Sequence, residues 1–136
     1  METREIEKSL WLQAPAAEVF DLLLDSRGHS LFTGMNAEVS REIGAEFRIG
    51  NEQATITGQN QLLELNRRIE QSWRITVDGW PSDHWSRLTL SFAERDGGTE
   101  LNMRHELVPA ICVTPMINGW DRFYWQPLQR YCEAKK

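Results

Sequence analysis

Ile69-Glu70-Gln71-Ser72-Trp73-Arg74-Ile75-Thr76-Val77 places Ile69, Gln71, Trp73, Ile75 and Val77 on one side and the residues between them on the other. That is the two-residue period of a strand with one face turned to a core. Leu88, Leu90 and Phe92 repeat the pattern, and Leu101, Met103, His105 and Leu107 repeat it again. The opposite faces carry Glu70, Arg74, Arg87, Glu100, Arg104 and Glu106, so one side of this sheet meets water, as antiparallel sheets allow. Turn-forming residues separate the runs at Asp78-Gly79 and Asp96-Gly97-Gly98, and upstream at Arg41 to Gly44, Gly50-Asn51 and Asn66-Arg67. The chain from Asn36 to Leu107 therefore reads as about six antiparallel strands joined by hairpins.

On the N-terminal side, Ile6, Lys8, Leu10 and Leu12 alternate with Glu5, Glu7, Ser9 and Trp11, a first strand in which Trp11 interrupts the polar face. Pro15 suits the first turn of a helix, and Ala16, Val19, Phe20, Leu23 and Leu24 fall on one helical face. Gly28 is the expected stop, followed by a short irregular or helical piece over His29 to Thr33. On the C-terminal side, Met116, Ile117, Trp120, Phe123, Tyr124, Leu128 and Tyr131 recur at three-to-four spacing, which predicts one long helix. Pro127 should bend it, because proline lacks an N–H and its ring meets the carbonyl of Phe123.

The expected class is α+β. A sheet of about seven strands at ~4.8 Å spacing is roughly 30 Å wide, whereas a helix is ~10–12 Å across. One helix cannot cover it, so the sheet must curl around the helix, and the remaining space is filled by large side chains or by a ligand.

The chain has 136 residues, 40% of them hydrophobic, which fits one domain over residues 1–136. With 15 Lys and Arg against 20 Asp and Glu, the net charge of −5 argues against nucleic acid as a partner. The N-terminus has no apolar signal core and the two cysteines, Cys112 and Cys132, lack C-x-x-C spacing, which makes the cytoplasm the expected location. No apolar run approaches the ~20 residues needed to cross a bilayer. His29, His84 and His105 lack partners at metal-site spacing, and nucleophile-elbow, dinucleotide and phosphate-loop motifs are absent; no metal, cofactor or catalytic residue is assigned. Arg67-Arg68 and Lys135-Lys136 read as solvated charge pairs.

Ala14-Pro15 with Glu18-Val19-Phe20, Phe32-Thr33-Gly34, Gly44-Ala45-Glu46-Phe47, Thr57-Gly58, Ile69 through Trp73-Arg74, Trp80-Pro81 with His84, Gly98-Thr99-Glu100-Leu101, Val108-Pro109, and Gly119-Trp120 with Tyr124 follow one another in an order that resembles the activator of heat shock protein 90 ATPase homologue family. That family lies within the START-like, helix-grip superfamily. The resemblance implies a helix-grip (Bet v-like) fold, a curved antiparallel sheet of six to seven strands around a long C-terminal helix. It is strongest with the C-terminal domain of a co-chaperone, whose separate N-terminal domain has no counterpart in these residues. It implies either a non-catalytic domain holding a small hydrophobic ligand between sheet and helix or a partner of a heat shock chaperone. Cyclase- or hydratase-like chemistry in the same cavity is a third reading.

Asn60, Gln71 and His105 fall on inward faces, where polar groups require partners. They are expected either to satisfy one another or to read the polar end of an apolar ligand. Trp73, Met103, Trp120 and Tyr124 complete the candidate cavity wall, and His105 is the inward residue nominated as an acid or base. Trp80, in the turn from Asp78 to Trp85, is expected either to staple its loop to the sheet or to anchor a protein partner.

Overall fold

The computed structural model describes residues 1–134; the Lys135-Lys136 pair lies outside them. Seven strands form one antiparallel sheet in the order β1-β7-β6-β5-β4-β3-β2. These are β1 (Thr3–Leu12), β2 (Asn36–Glu38), β3 (Glu46–Gly50), β4 (Thr55–Glu64), β5 (Arg68–Ile75), β6 (Ser86–Arg95) and β7 (Gly98–Pro109). Between β1 and β2 lie α1 (Ala16–Leu24) and α2 (Ser26–Thr33). A C-terminal helical run follows β7: a 3-10 turn at Ala110–Cys112, α3 (Val113–Trp120), a π-helical turn at Asp121–Trp125, and α4 (Gln126–Ala134). The α+β class and the wrapped sheet are as expected. Among the described residues, no helix is long and apolar enough to cross a membrane.

The alternating positions in β5, β6 and β7 meet the core as read: Ile69, Trp73, Leu88, Leu90, Phe92, Leu101 and Met103 are all buried. Leu107 departs from the pattern. It has a left-handed φ of 64° and is 47% exposed. Pairing with β1 skips one residue here, since Arg4 faces Val108 and Ile6 faces His105. The extra residue makes a bulge that reverses the alternation, so Val108 is buried in place of Leu107. Trp11, the apolar intruder on the outer face of β1, lies over Gly98, where an added Cβ would come within 2.5 Å of its ring.

Two helical details differ from expectation. The helix begun at Ala16 stops at Leu24, not Gly28, because the side chain of Asp25 accepts the Gly28 N–H at 2.8 Å and starts a second helix. That second helix carries His29 and Phe32 into the core. The α1–α2 pair thereby shares the covering of the sheet: the Phe20 and Phe92 rings meet edge to face at 5.8 Å, and His29 reaches Tyr124. The breadth that one helix could not cover is shared between α1–α2 and the C-terminal helical run.

Pro127 is accommodated by the wide turn immediately before it. In a π-turn the hydrogen bond reaches back five residues, and Gln126 N–H accordingly donates to Asp121 C=O. The buried residues Met116, Trp120, Tyr124, Leu128 and Cys132 recur every four residues. At about 100° per residue such a stripe would drift by about 40° at each step around a regular helix, and the extra residue in the wide turn takes up that drift. Trp125 therefore joins Tyr124 in the core and Cys132 is buried ahead of the half-buried Tyr131; Ile117, in α3 before the turn, is 48% exposed.

Candidate functional site

The centre of the molecule is filled, and the hollow expected there is nearly absent. His105 is 0% exposed. Trp120 Nε1–H donates to His105 Nδ1 at 3.1 Å. His105 Nε2 lies 2.8 Å from Ser86 Oγ, and the Ser86 hydroxyl donates to the carbonyl of Trp73 at 2.9 Å. That leaves the serine oxygen to accept the Nε2 proton, so the chain of donors fixes the neutral imidazole with its proton on Nε2. Burial pushes its pKa down to about 3. One polar relay thus ties α3 to β7, β6 and β5 through a packed group of rings, with Trp73 and Trp120 stacked at 5.9 Å and Trp120 and Trp125 at 5.2 Å.

Sequence reasoning nominated His105 as the only inward acid or base; the structure adds His29, which is 4% exposed. Its Nδ1–H donates to the Leu23 carbonyl at 2.9 Å, and Tyr124 O–H donates to its Nε2 at 2.8 Å. Burial lowers the His29 pKa to about 4 and raises that of the Tyr124 phenol. Both histidines are neutral at pH 7 with both ring nitrogens engaged, a structural arrangement. His29 was missed because its segment read as irregular or helical, with no face assigned; the Asp25 cap three residues before Gly28 is the signal that places it on a helix.

Asn60 and Gln71 also find protein partners. Asn60 Nδ2 donates to the carbonyls of Ser40 and Glu42, each at 3.0 Å, and Gln71 Nε2 donates to Asn60 Oδ1 at 2.9 Å. Asn60 therefore clamps the loop between β2 and β3, reinforced by its backbone bonds to Gly44 and Ala45. Between these groups and α1–α2 a void of about 20 Å³ remains, touching Gln71, His29 and Tyr124, about the space of one water molecule.

Trp80 takes the stapling arrangement, one of the two expected for it. It is 7% exposed, donates its Nε1–H to the carbonyl of His84 at 3.0 Å and lies 5.6 Å from the ring of Trp73. The indole closes its own loop onto the sheet.

An apolar cleft lies at one end of the sheet. A cleft of about 260 Å³ separates the start of β4 and the end of β5 from α3 and the wide turn. Ile56, Trp73 and Ile75 form one wall, and Met116, Trp120 and Phe123 form the other, with Met35 and Tyr124 also lining it. Of the seven candidate cavity residues, Trp73, Trp120 and Tyr124 come together here; Asn60, Gln71, Met103 and His105 do not line it. Ile75 and Met116 were legible as inward residues but not as a site, because periodicity gives a face and not its distance from the opposite wall. Among the described residues, no three His, Cys, Asp or Glu side chains gather as a metal site would require.

The family model described as Activator of Hsp90 ATPase homolog 1-like protein matches residues 13–133. The activator of 90 kDa heat shock protein ATPase homolog 1 of Mus musculus is 26% identical over 123 residues, covering 90% of this chain and 35% of the relative. The chain thus spans about a third of that protein's length. A solved HSP90 activator from Plasmodium falciparum superposes with a TM-score of 0.77 at 20% identity, over 88% of this chain and 89% of that one. A Mesorhizobium loti protein superposes with a TM-score of 0.86 at 15% identity, over 98% and 99% of the two chains. Those two likenesses show the helix-grip fold, whereas the family match runs through the sequence itself from the first helix to the last: the chain belongs to the Activator of Hsp90 ATPase homolog 1-like family.

Proposed function

We propose that this chain is a non-catalytic START-like binding domain that holds a small hydrophobic ligand in the cleft between the β4–β5 ends and α3. The observation that carries this reading is the cleft itself, about 260 Å³ walled by aromatic and thioether side chains, beside a centre that is otherwise packed. Such a volume takes on the order of ten non-hydrogen atoms, the size of one naphthyl group, and because the cleft is open the rest of a larger molecule extends past its mouth. The ligand lies at the end of the helix, not beneath its middle, because α1–α2 and the indoles occupy the middle. Native mass spectrometry of the purified full chain tests this: an adduct released on denaturation is expected. The absence of any adduct, together with no energy transfer from tryptophan to added N-phenyl-1-naphthylamine, overturns it.

A second reading is a co-chaperone role on a heat shock ATPase, supported by the names of the mammalian relatives and the 90% of this chain that aligns with the mouse protein. Exposed apolar side chains toward the Trp80 end include Ile111 and Leu107, at 76% and 47% exposure, and in this reading they supply the anchoring part first considered for Trp80. Measuring the cognate chaperone's hydrolysis rate with and without this chain separates the readings, since a ligand carrier leaves that rate unchanged.

A further inference from the structure

The cleft combines aromatic walls with two features that greasiness alone does not demand. The first is its charge. In a chain with 26% charged residues, none of the described residues lining the cleft is charged. Its polar side chains are Asn51 and Gln53, exposed at the mouth, and Tyr124. Asn51 Oδ1 accepts from the backbone N–H groups of Gln53 and Ala54, and the Tyr124 hydroxyl donates to His29. A charged group entering would lose its water and meet no counter-charge.

The second feature is Gly119. It sits inside a helical run, where glycine is poorer than alanine, and it shows no left-handed φ that would call for glycine. Close packing does not require it either. An added Cβ at Gly58 or Gly98 would collide with neighbours within 3 Å, whereas at Gly119 it meets nothing within 4 Å. Gly119 lines the cleft, so the side chain it lacks is room in the cleft.

We propose that Gly119 sets the depth of the cleft and that the cleft takes a neutral aromatic group, set against the ring edges of Trp73 and Trp120. This rests on the ligand reading above and narrows it to a class. Aromatic edges and the thioethers of Met35 and Met116 favour a ring over a branched aliphatic group, and the uncharged lining excludes carboxylates and ammonium groups.

The test uses the full chain, G119A and G119L, titrated with N-phenyl-1-naphthylamine and with 1-anilinonaphthalene-8-sulfonate, which has the same rings plus a sulfonate. Binding is read by energy transfer from tryptophan in about 1 M salt, where repulsion by the net negative charge is screened. The wild-type chain is expected to bind the neutral probe at least about tenfold more tightly than the sulfonate. G119A should weaken the neutral probe about fourfold, the worth of one displaced carbon, and G119L more than that. The melting temperature of G119A should be unchanged or raised, since alanine favours the helix; if leucine unfolds the chain, the alanine variant carries the comparison. Equal affinity of wild type and G119A overturns the role of Gly119 while leaving the ligand reading intact. Equal affinity for the two probes overturns the neutral class, and no binding of either probe removes the ligand reading and this inference with it.

Discussion

The two sides of Trp120 face different worlds. Toward the centre, its indole N–H is held by His105 and its ring is stacked between Trp73 and Trp125. Toward the end of the sheet, its ring looks into a cleft of about 260 Å³. Both regions are aromatic, so composition does not distinguish them. What differs is whether a third layer has come down on top. In the centre α1–α2 supply that layer; over the β4–β5 ends nothing in the described chain does.

Acid should strike the centre hardest. The unfolded imidazole takes its proton near pH 6.5, whereas His29 and His105 resist until about pH 4 and about pH 3. Between those limits the unfolded chain binds more protons, so the stabilisation is complete above about 6.5 and is lost as pH falls through 6.5 toward the folded values. At about pH 5 each histidine should have cost about 2 kcal/mol relative to neutral pH. Urea unfolding at the two pH values measures the sum, and a flat profile would mean that the centre is not sealed.

His105→Ala should cost about 3 kcal/mol, combining a cavity with the orphaned Trp120 N–H. His105→Gln should recover part of it by offering a donor and an acceptor. Tyr124→Phe, at the border of the two regions, should cost about 1 kcal/mol by leaving His29 Nε2 without its donor, and His29 should titrate higher by NMR as a result. Ile75→Ala, on the half-buried cleft wall, should cost about 1 kcal/mol or less in urea while weakening N-phenyl-1-naphthylamine. A penalty there as large as that of His105→Ala would erase the contrast between packed and open regions.

The strands were legible because Ile69 to Val77 and Leu88 to Phe92 alternate without interruption, and a period of two admits one fold of the backbone. Leu107 was misread because a bulge costs one residue and leaves no mark in composition. Trp125 and Cys132 were missed for a related reason: the helical period assumes 3.6 residues per turn, and the wide turn breaks it. The candidate residues were found as inward-facing, but their partners lie far away in sequence. His105 meets Trp120 across 15 residues and His29 meets Tyr124 across 95, distances at which local pattern carries no information. The cleft is harder still, since empty space depends on where three separate elements stop.

The wide turn at Asp121–Trp125 also bears on how the chain tolerates changes of length. Five residues there follow a path that four would cover in an ordinary α-helix, so the segment behaves as an absorbed insertion. Removing one residue within it should leave Leu128 and Cys132 pointing the same way, whereas the same deletion elsewhere in the run would rotate everything beyond it by about 100°. The C-terminal helix thus carries its own slack at a single place, directly beside the cleft, and a shortened sibling of this chain would reshape that opening without disturbing the helix end that closes the sheet.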